Sequence, residues 1–274
     1  MRRALLLAWS VGVAGCASAE GKELEPGLTV THIAKEMDVL RKHRVLFSHH
    51  SVGRDLMSGL QRAATRLKSE PVRIISLEQA AADDAPAFVA ISGGHNQDPQ
   101  SKLDFFAETL RTAKYQPDLA FMKLCYVDFN PHTDVDALFA AYQKTFDQLK
   151  REYPAIRFAH VTTPLHAQPM QLKERIYRFL GKEVWEDATN VKRHAFNQRL
   201  LKTYANDPIF DLARIESTRP DGSRVNFEQE GRTYYALAPQ YTDDGGHLNA
   251  LGQDVAALEW VRFIAGALSR STQN

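Results

Sequence analysis

Four short stretches of this sequence bring together side chains able to do covalent chemistry: Val45 to Gly53 (VLFSHHSVG), Ile91 to Pro99 (ISGGHNQDP), Tyr126 to Asn130 (YVDFN) and Asp243 to Gly252 (DDGGHLNALG). Ser51 follows an apolar, β-branched run and precedes RDLMSGLQRAATRL, in which Leu56, Leu60, Ala63 and Leu67 recur at helical spacing. A serine at such a junction has its hydroxyl at the rim of a sheet, and its backbone N–H faces any anion at the helix N-terminus. It is also an ordinary helix cap, and it becomes a nucleophile only if a base reaches it. The last stretch offers that base. Asp244, three residues before His247, could accept the imidazole Nδ1–H and leave Nε2 facing outward, as the acid of a Ser-His-Asp set does. Asp243 is the rival carboxylate.

His49 and His50 are consecutive at a strand end, so their side chains leave on opposite sides; one is expected to line the site and the other to pack, without sharing a metal. His95, Asn96 and Asp98 follow a Gly-Gly turn that presents three polar groups at once, as a functional cluster or a solvated turn. No H-E-x-x-H or comparable zinc spacing occurs, and Walker and dinucleotide glycine patterns are absent, so neither a metal nor a cofactor is expected. Cys125, inside LAFMKLCYV, reads as a small buried hydrophobe.

The elements that must position these residues alternate. The pattern predicts helices over 31–42, 52–67, 101–114, 134–152, within 171–205 and over 249–269, and strands over 44–48, 72–76, 118–126, 156–161 and 208–212. Strands alternating with amphipathic helices imply a parallel sheet covered on both faces. Two segments, 78–100 and 216–242, break the rhythm and are candidates for pocket wall or lid, because loops at the carboxyl ends of parallel strands line the ligand crevice. Tyr234, Tyr235 and Tyr241 in the second could stack on sugar rings or simply pack the segment.

At 274 residues and 44% hydrophobic composition the chain can bury the core of one large domain. A formal charge of +1, with basic and acidic residues interspersed, gives no footprint for nucleic acid. Residues 1–15 combine two arginines with the apolar stretch Ala4 to Val13, an export signal too short for an ordinary spanning helix. Its end, VAGC, resembles the lipobox of bacterial lipoproteins, which implies cleavage before Cys16 and a lipid anchor there; an ordinary signal cleaved near Ala19 is the alternative. Residues 16–28 then read as a tether and 29–274 as the domain, facing the periplasm or cell surface. Loss of Arg2 and Arg3 would turn the formal +1 into −1.

Together, the early serine after the first strand and the late D-x-x-H before the last helix resemble the GDSL-like, or SGNH, hydrolase superfamily over roughly residues 29–270. DGGHLNALG fits the family's late block, His49-His50-Ser51 replaces its Gly-Asp-Ser, and YVDFN stands where Gly-x-Asn-Asp is expected. The resemblance implies a three-layer α/β/α sandwich with a short, mainly parallel sheet of about five strands in flavodoxin-like order. It implies Ser51 as nucleophile, His247 as base and then acid, and Asp244 as the orienting carboxylate. The oxyanion hole would comprise the Ser51 N–H, Gly94 (Gly93 as rival) and an amide from Asn96 or Asn130, with His50, His95, Tyr126 and Asp128 meeting the substrate. The expected activity is removal of acetyl or other short acyl groups from a carbohydrate or cell-envelope ester. The alternatives are a glycan- or protein-binding domain without turnover, or an O-acetyltransferase.

Overall fold

The computed structural model describes residues 26–269 except Asp84, with side chains from His32 onward. The expected signal segment, Cys16 and most of the tether lie outside the described residues. Six strands form one all-parallel sheet: β1 (Val45–Ser48), β2 (Ile74–Ile75), β3 (Phe88–Ile91), β4 (Leu119–Met122), β5 (Arg157–Val161) and β6 (Ile209–Phe210), in the order β2-β3-β1-β4-β5-β6. Without the two-residue edge strand β2 this is the flavodoxin-like order expected. The order reverses at β1, whose neighbours are β3 and β4, so the crevice opens at the carboxyl ends of these three strands.

Period-two alternation divides the strands between two cores. Val45, Phe47, Leu119, Phe121, Ala159 and Val161 face α1 (Pro26–Arg41), α2 (Ser51–Arg66) and α9 (Ala250–Ser269). Leu46, Val89, Ala120, Met122 and Phe158 face α4 (Pro99–Thr112), α5 (Val135–Glu152) and α7 (Trp185–Thr203). Trp260 of α9, fully buried, lies with its ring centroid 5.2 Å from both Phe47 and Phe88. Helices α2 and α9 approach closely because Gly59 has no side chain: a Cβ there would lie 2.3 Å from the Gln253 carbonyl oxygen. Arg62 then donates to Asp254 at 2.9 Å across the same pair.

The two segments that break the rhythm are more ordered than loops. The first contains the short helix α3 (Leu77–Ala81) and β3 itself; FVAI is too short a run, flanked by Pro86 and Ser-Gly-Gly, to stand out as a strand. The second carries the end of α8 (Leu212–Ser217) and the antiparallel hairpin β7 (Asn226–Gln229) and β8 (Arg232–Tyr235). The strand expected over 118–126 ends at Met122, and the chain then turns through a single 3-10 turn at Tyr126–Asp128. The remaining helix, α6 (Leu172–Phe179), lies in the connection from β5 to α7. Among the described residues, no helix is long and apolar enough to cross a membrane.

Candidate active site

Ser51 is the first residue of α2. His50 occupies the cap position with an extended backbone and makes no side-chain capping bond. The Ser51 hydroxyl makes no hydrogen bond among the described residues, so it is not spent as a cap. Its N–H, in the first turn of a helix, has no intrahelical acceptor. One turn further along the same face of α2, Asp55 accepts from the Leu248 N–H at 3.2 Å and from Gln253 Nε2 at 3.4 Å. This bond fastens the loop carrying His247 to the turn that carries Ser51. Burial raises the Asp55 carboxyl above the usual carboxylate range, against the Leu248 N–H and the charge of His247.

In that loop the His247 Nδ1–H donates to Asp244 Oδ2 at 2.6 Å, while Asp244 Oδ1 accepts the backbone N–H groups of Gly246 (2.9 Å) and His247 (2.8 Å). Burial alone would raise the Asp244 carboxyl, but the His247 N–H, the His247 ring and the Gly246 N–H outweigh it and hold the group well below its usual range. The rival Asp243 turns away and accepts from Asn249 Nδ2 at 3.2 Å. With Nδ1 committed to Asp244, Nε2 is the nitrogen available as a base. Ser51 and His247 are not hydrogen-bonded to each other, as is common in free enzymes whose catalytic bonds tighten on binding.

Of the two histidines after β1, one is buried and the other half-buried. His49 packs inward, stacked on Phe47 with ring centroids 5.0 Å apart and bonded through Nδ1 to the His50 carbonyl; burial lowers it to about 4. His50 donates from Nε2 to the Gly93 carbonyl at 3.0 Å. It thus acts on the turn after β3, and burial lowers its pKa. Because a trans peptide directs its C=O and N–H oppositely, this bond sends the Gly94 N–H the other way, with no acceptor among the described residues. Gly94 has φ +73°, and a Cβ there would meet the Lys102 backbone nitrogen at 2.7 Å. Only glycine suits that turn.

Asp128 does not face a substrate. Its carboxylate is fully enclosed by Lys102 Nζ (2.6 and 2.7 Å), the Gln97 N–H (3.0 Å) and the Cys125 N–H (2.7 Å). The buried pair ties the turn after β4 to the loop after β3. Lys102 also donates to Asn96 Oδ1 at 3.0 Å. An ammonium has no acceptor, so this bond fixes the amide with Nδ2 free to donate elsewhere. Asn130 instead folds into its own turn, where Oδ1 accepts the His132 N–H at 2.8 Å. The His95 side chain is exposed and makes no hydrogen bond among the described residues. Cys125 is buried, as expected.

Tyr126 is half-buried, its ring edge-on to His247 (centroids 5.6 Å apart) and to His166 (5.7 Å). Burial, followed by the charge of Asp244, raises its phenol. Beside it a cleft of about 510 Å³ is lined by Gln97, Asn130, His132, His166, Trp185 and Glu186. Neither Ser51 nor His247 lines this cleft, which reaches His247 through Tyr126, and neither lines the larger hollows of about 710 Å³ between α4 and α5 and about 670 Å³ beside α8 and α9. Of the late tyrosines, Tyr241 is buried, Tyr235 lies 3.4 Å beneath Arg224 and Tyr234 packs on His194, so all three brace the segment.

The walls are held by residues that the sequence reading did not single out. On α7, buried Asn190, Arg193 and Asn197 fall on one face. Asn190 brackets the His166 N–H (3.1 Å) and C=O (2.7 Å), and Asn197 does the same for Thr163 (2.7 and 2.9 Å). Arg193 grips the Tyr126 carbonyl with two N–H groups at 3.1 and 2.9 Å, and burial brings its guanidinium down to about 10. The only cue in the sequence was their three- and four-residue spacing. Among the described residues no three His, Cys, Asp or Glu side chains converge as metal ligands would.

No protein-family model matches the sequence, and no curated protein does. Similar solved structures include a GDSL-like lipase from Parabacteroides merdae, at 11% identity and TM-score 0.51, covering 83% of this chain and 97% of that one. Another is a carbohydrate esterase family 3 protein from Talaromyces cellulolyticus, at 12% identity and TM-score 0.44, covering 83% and 97%. With its parallel sheet, its serine after β1 and its D-x-x-H before the last helix, the chain has the SGNH hydrolase-like fold.

Proposed function

We propose that this protein is an exported serine esterase that removes acetyl or other short acyl groups from a carbohydrate or cell-envelope ester. The observation that carries the reading is the Asp244–His247 bond, fastened through Asp55 and Leu248 to the turn of α2 whose first residue is an uncapped serine. Ser51 Oγ attacks the ester carbonyl while His247 Nε2 takes its proton, and Asp244 stabilises the imidazolium that results. The Ser51 and Gly94 N–H groups and the Asn96 amide receive the oxyanion. His247 then protonates the departing sugar hydroxyl, and water, activated by the same imidazole, releases the acid from Ser51.

The carbohydrate part rests on the cleft beside Tyr126. Trp185 and His132 present rings there with centroids 6.3 Å apart, next to the amides of Gln97 and Asn130. Apolar rings flanked by hydrogen-bonding groups suit a sugar better than a fatty acyl chain. The export part rests on the amino-terminal residues, with Cys16 as the lipid attachment point to a bacterial membrane.

The test is covalent labelling with a fluorophosphonate probe, read by intact mass and peptide mapping, beside Ser51→Ala and His247→Ala. Labelling at Ser51 that vanishes in both variants is expected, followed by turnover in a screen of acetylated sugars. A folded protein that stays unlabelled refutes the serine mechanism and leaves a glycan- or protein-binding domain. Turnover that needs an acceptor alcohol for its full rate identifies an acyltransferase instead.

A further inference from the structure

Seven large apolar side chains are exposed among the described residues, and six of them fall between Met170 and Trp185. Helix α6 is turned inside out. Its apolar positions Leu172, Ile176 and Phe179, spaced along one stripe, face solvent; Phe179 is 89% and Leu172 71% exposed. The opposite face, with Glu174, Tyr177 and Arg178, is turned toward the protein. Arg178 donates to Asp187 at 2.5 and 3.1 Å and to the Pro169 carbonyl at 2.8 Å, while Glu174 and Tyr177 are half-buried. A helix pinned by its polar face keeps its apolar face outward by construction. Met170, Leu180 and Trp185 extend the patch beyond both helix ends.

The borders of the stripe carry positive charge. Residues 170–185 hold four basic and two acidic residues, and one basic residue, Arg178, is consumed inward. On a helical projection Lys173 and Arg175 flank the stripe on either side. Lys173 and Lys182 also lie near the Tyr177 ring, 5.4 and 5.7 Å from its centroid. Leucine, isoleucine and phenylalanine in the middle with cations at the edges is the pattern of a helix lying in the plane of a membrane surface. A protein partner would have to bury these cations or pair them; a bilayer with anionic headgroups takes both parts of the pattern at once.

We propose that α6 and its flanks, residues 170–185, dock this domain on an anionic lipid surface. Because Trp185 also lines the cleft beside Tyr126, docking holds that cleft at the membrane face. The inference stands apart from the catalytic reading and from any lipid at Cys16.

The experiment is hydrogen–deuterium exchange on the full chain, with vesicles of phosphatidylcholine alone or mixed with phosphatidylglycerol. The peptides covering 170–185 report this contact separately from the amino-terminal segment. On mixed vesicles, protection at 170–185 is expected. On neutral vesicles, half-protection should require roughly tenfold to a hundredfold more lipid, since each cation near an anionic surface contributes about fivefold. Leu172→Asp with Phe179→Asp should abolish the protection while exchange elsewhere is unchanged, because both side chains face outward. Equal protection on both vesicle types, no protection at 170–185 on either, or protection that grows with protein concentration without lipid would overturn the proposal. The last of these would identify the patch as a contact between copies of the chain.

Discussion

Replacing Lys102 with methionine tests the loop arrangement around the proposed oxyanion hole. The side chains of Lys102 and Asp128 are 2% and 0% exposed, and Lys102 makes both the short bonds to that carboxylate and the 3.0 Å bond to Asn96. In Lys102→Met, Asp128 keeps the Gln97 and Cys125 N–H groups but loses its countercharge. Breaking a buried pair from one side costs about 3–5 kcal/mol. At about 2–4 °C per kcal/mol for a domain of this size, the melting midpoint should fall by roughly 6–20 °C. Asn96 loses the donor that fixes its amide, so kcat on a small soluble ester should fall by up to about 10²–10³, with KM nearly unchanged.

Urea and thermal melts beside steady-state kinetics separate the two effects, and Asn96→Ala serves as the control that lowers kcat with little loss of stability. The double variant Lys102→Met/Asp128→Asn should cost clearly less than the sum of the single changes, since it leaves no unpaired buried charge. A loss below about 1 kcal/mol in Lys102→Met, the range of an exposed pair, would refute the reasoning about stability. Full kcat in a destabilised Lys102→Met would refute the assignment of Asn96 as a donor held by Lys102.

Asp244→Asn should reduce kcat by roughly 10⁴-fold, since an amide no longer selects the tautomer with a free Nε2; steady-state kinetics at neutral pH checks it. The Asp244 carboxyl is held below its usual range in the fold, so the stability it contributes is present above that range and is lost as pH falls below about 4. The wild type should therefore lose more stability than Asp244→Asn in acid melts, and parallel curves would contradict the linkage. Glu216 has the opposite sign. Fully buried, with Oε2 on the Leu165 N–H at 2.7 Å and Oε1 unbonded, it is pushed up to about 8 by burial. The folded state holds a proton that the unfolded chain releases near 4.5, so stability should fall as pH rises from there to about 8. Glu216→Gln should remove that slope, gaining on the order of 2–4 kcal/mol relative to wild type at pH 8 and above, as read by urea melts across pH. An unchanged slope would place the proton elsewhere.

What the sequence made legible follows the range of the interactions involved. β1 shows as a short apolar run because both its faces are buried, and α2 and α9 show as periodic apolar positions because each buries a regular face. Asp244 and His247 show as a pair because a three-residue loop spacing alone brings carboxylate and ring together. The supports do not show. Asn190 reaches His166 and Arg193 reaches Tyr126 across 24 and 67 residues, by side chain to backbone, and such partners leave no period in either segment. Asp128 misled for the same reason: an acid in a loop after a central strand reads as a substrate ligand until the lysine 26 residues earlier is seen to enclose it.

Helix α6 shows the same limit at the scale of a whole element. Its apolar stripe at 172, 176 and 179 is the pattern that elsewhere in this chain means core, as in Leu56, Leu60 and Ala63 of α2. Periodicity identifies a face but not what covers it. In α2 the side opposite the apolar stripe carries Arg54, Ser58 and Thr65 in solvent, so the apolar side is drawn inward. In α6 the opposite face is fastened, Arg178 to Asp187 and to the Pro169 carbonyl, and rotating the helix to bury Phe179 would break three hydrogen bonds and bring Glu174, Tyr177 and Arg178 out to solvent. The two helices obey the same physics, and what differs is which face the rest of the fold has already engaged. An apolar stripe held outward against its own tendency to bury is a surface awaiting contact, which is why the vesicle experiment bears on the whole molecule's placement as well as on one helix.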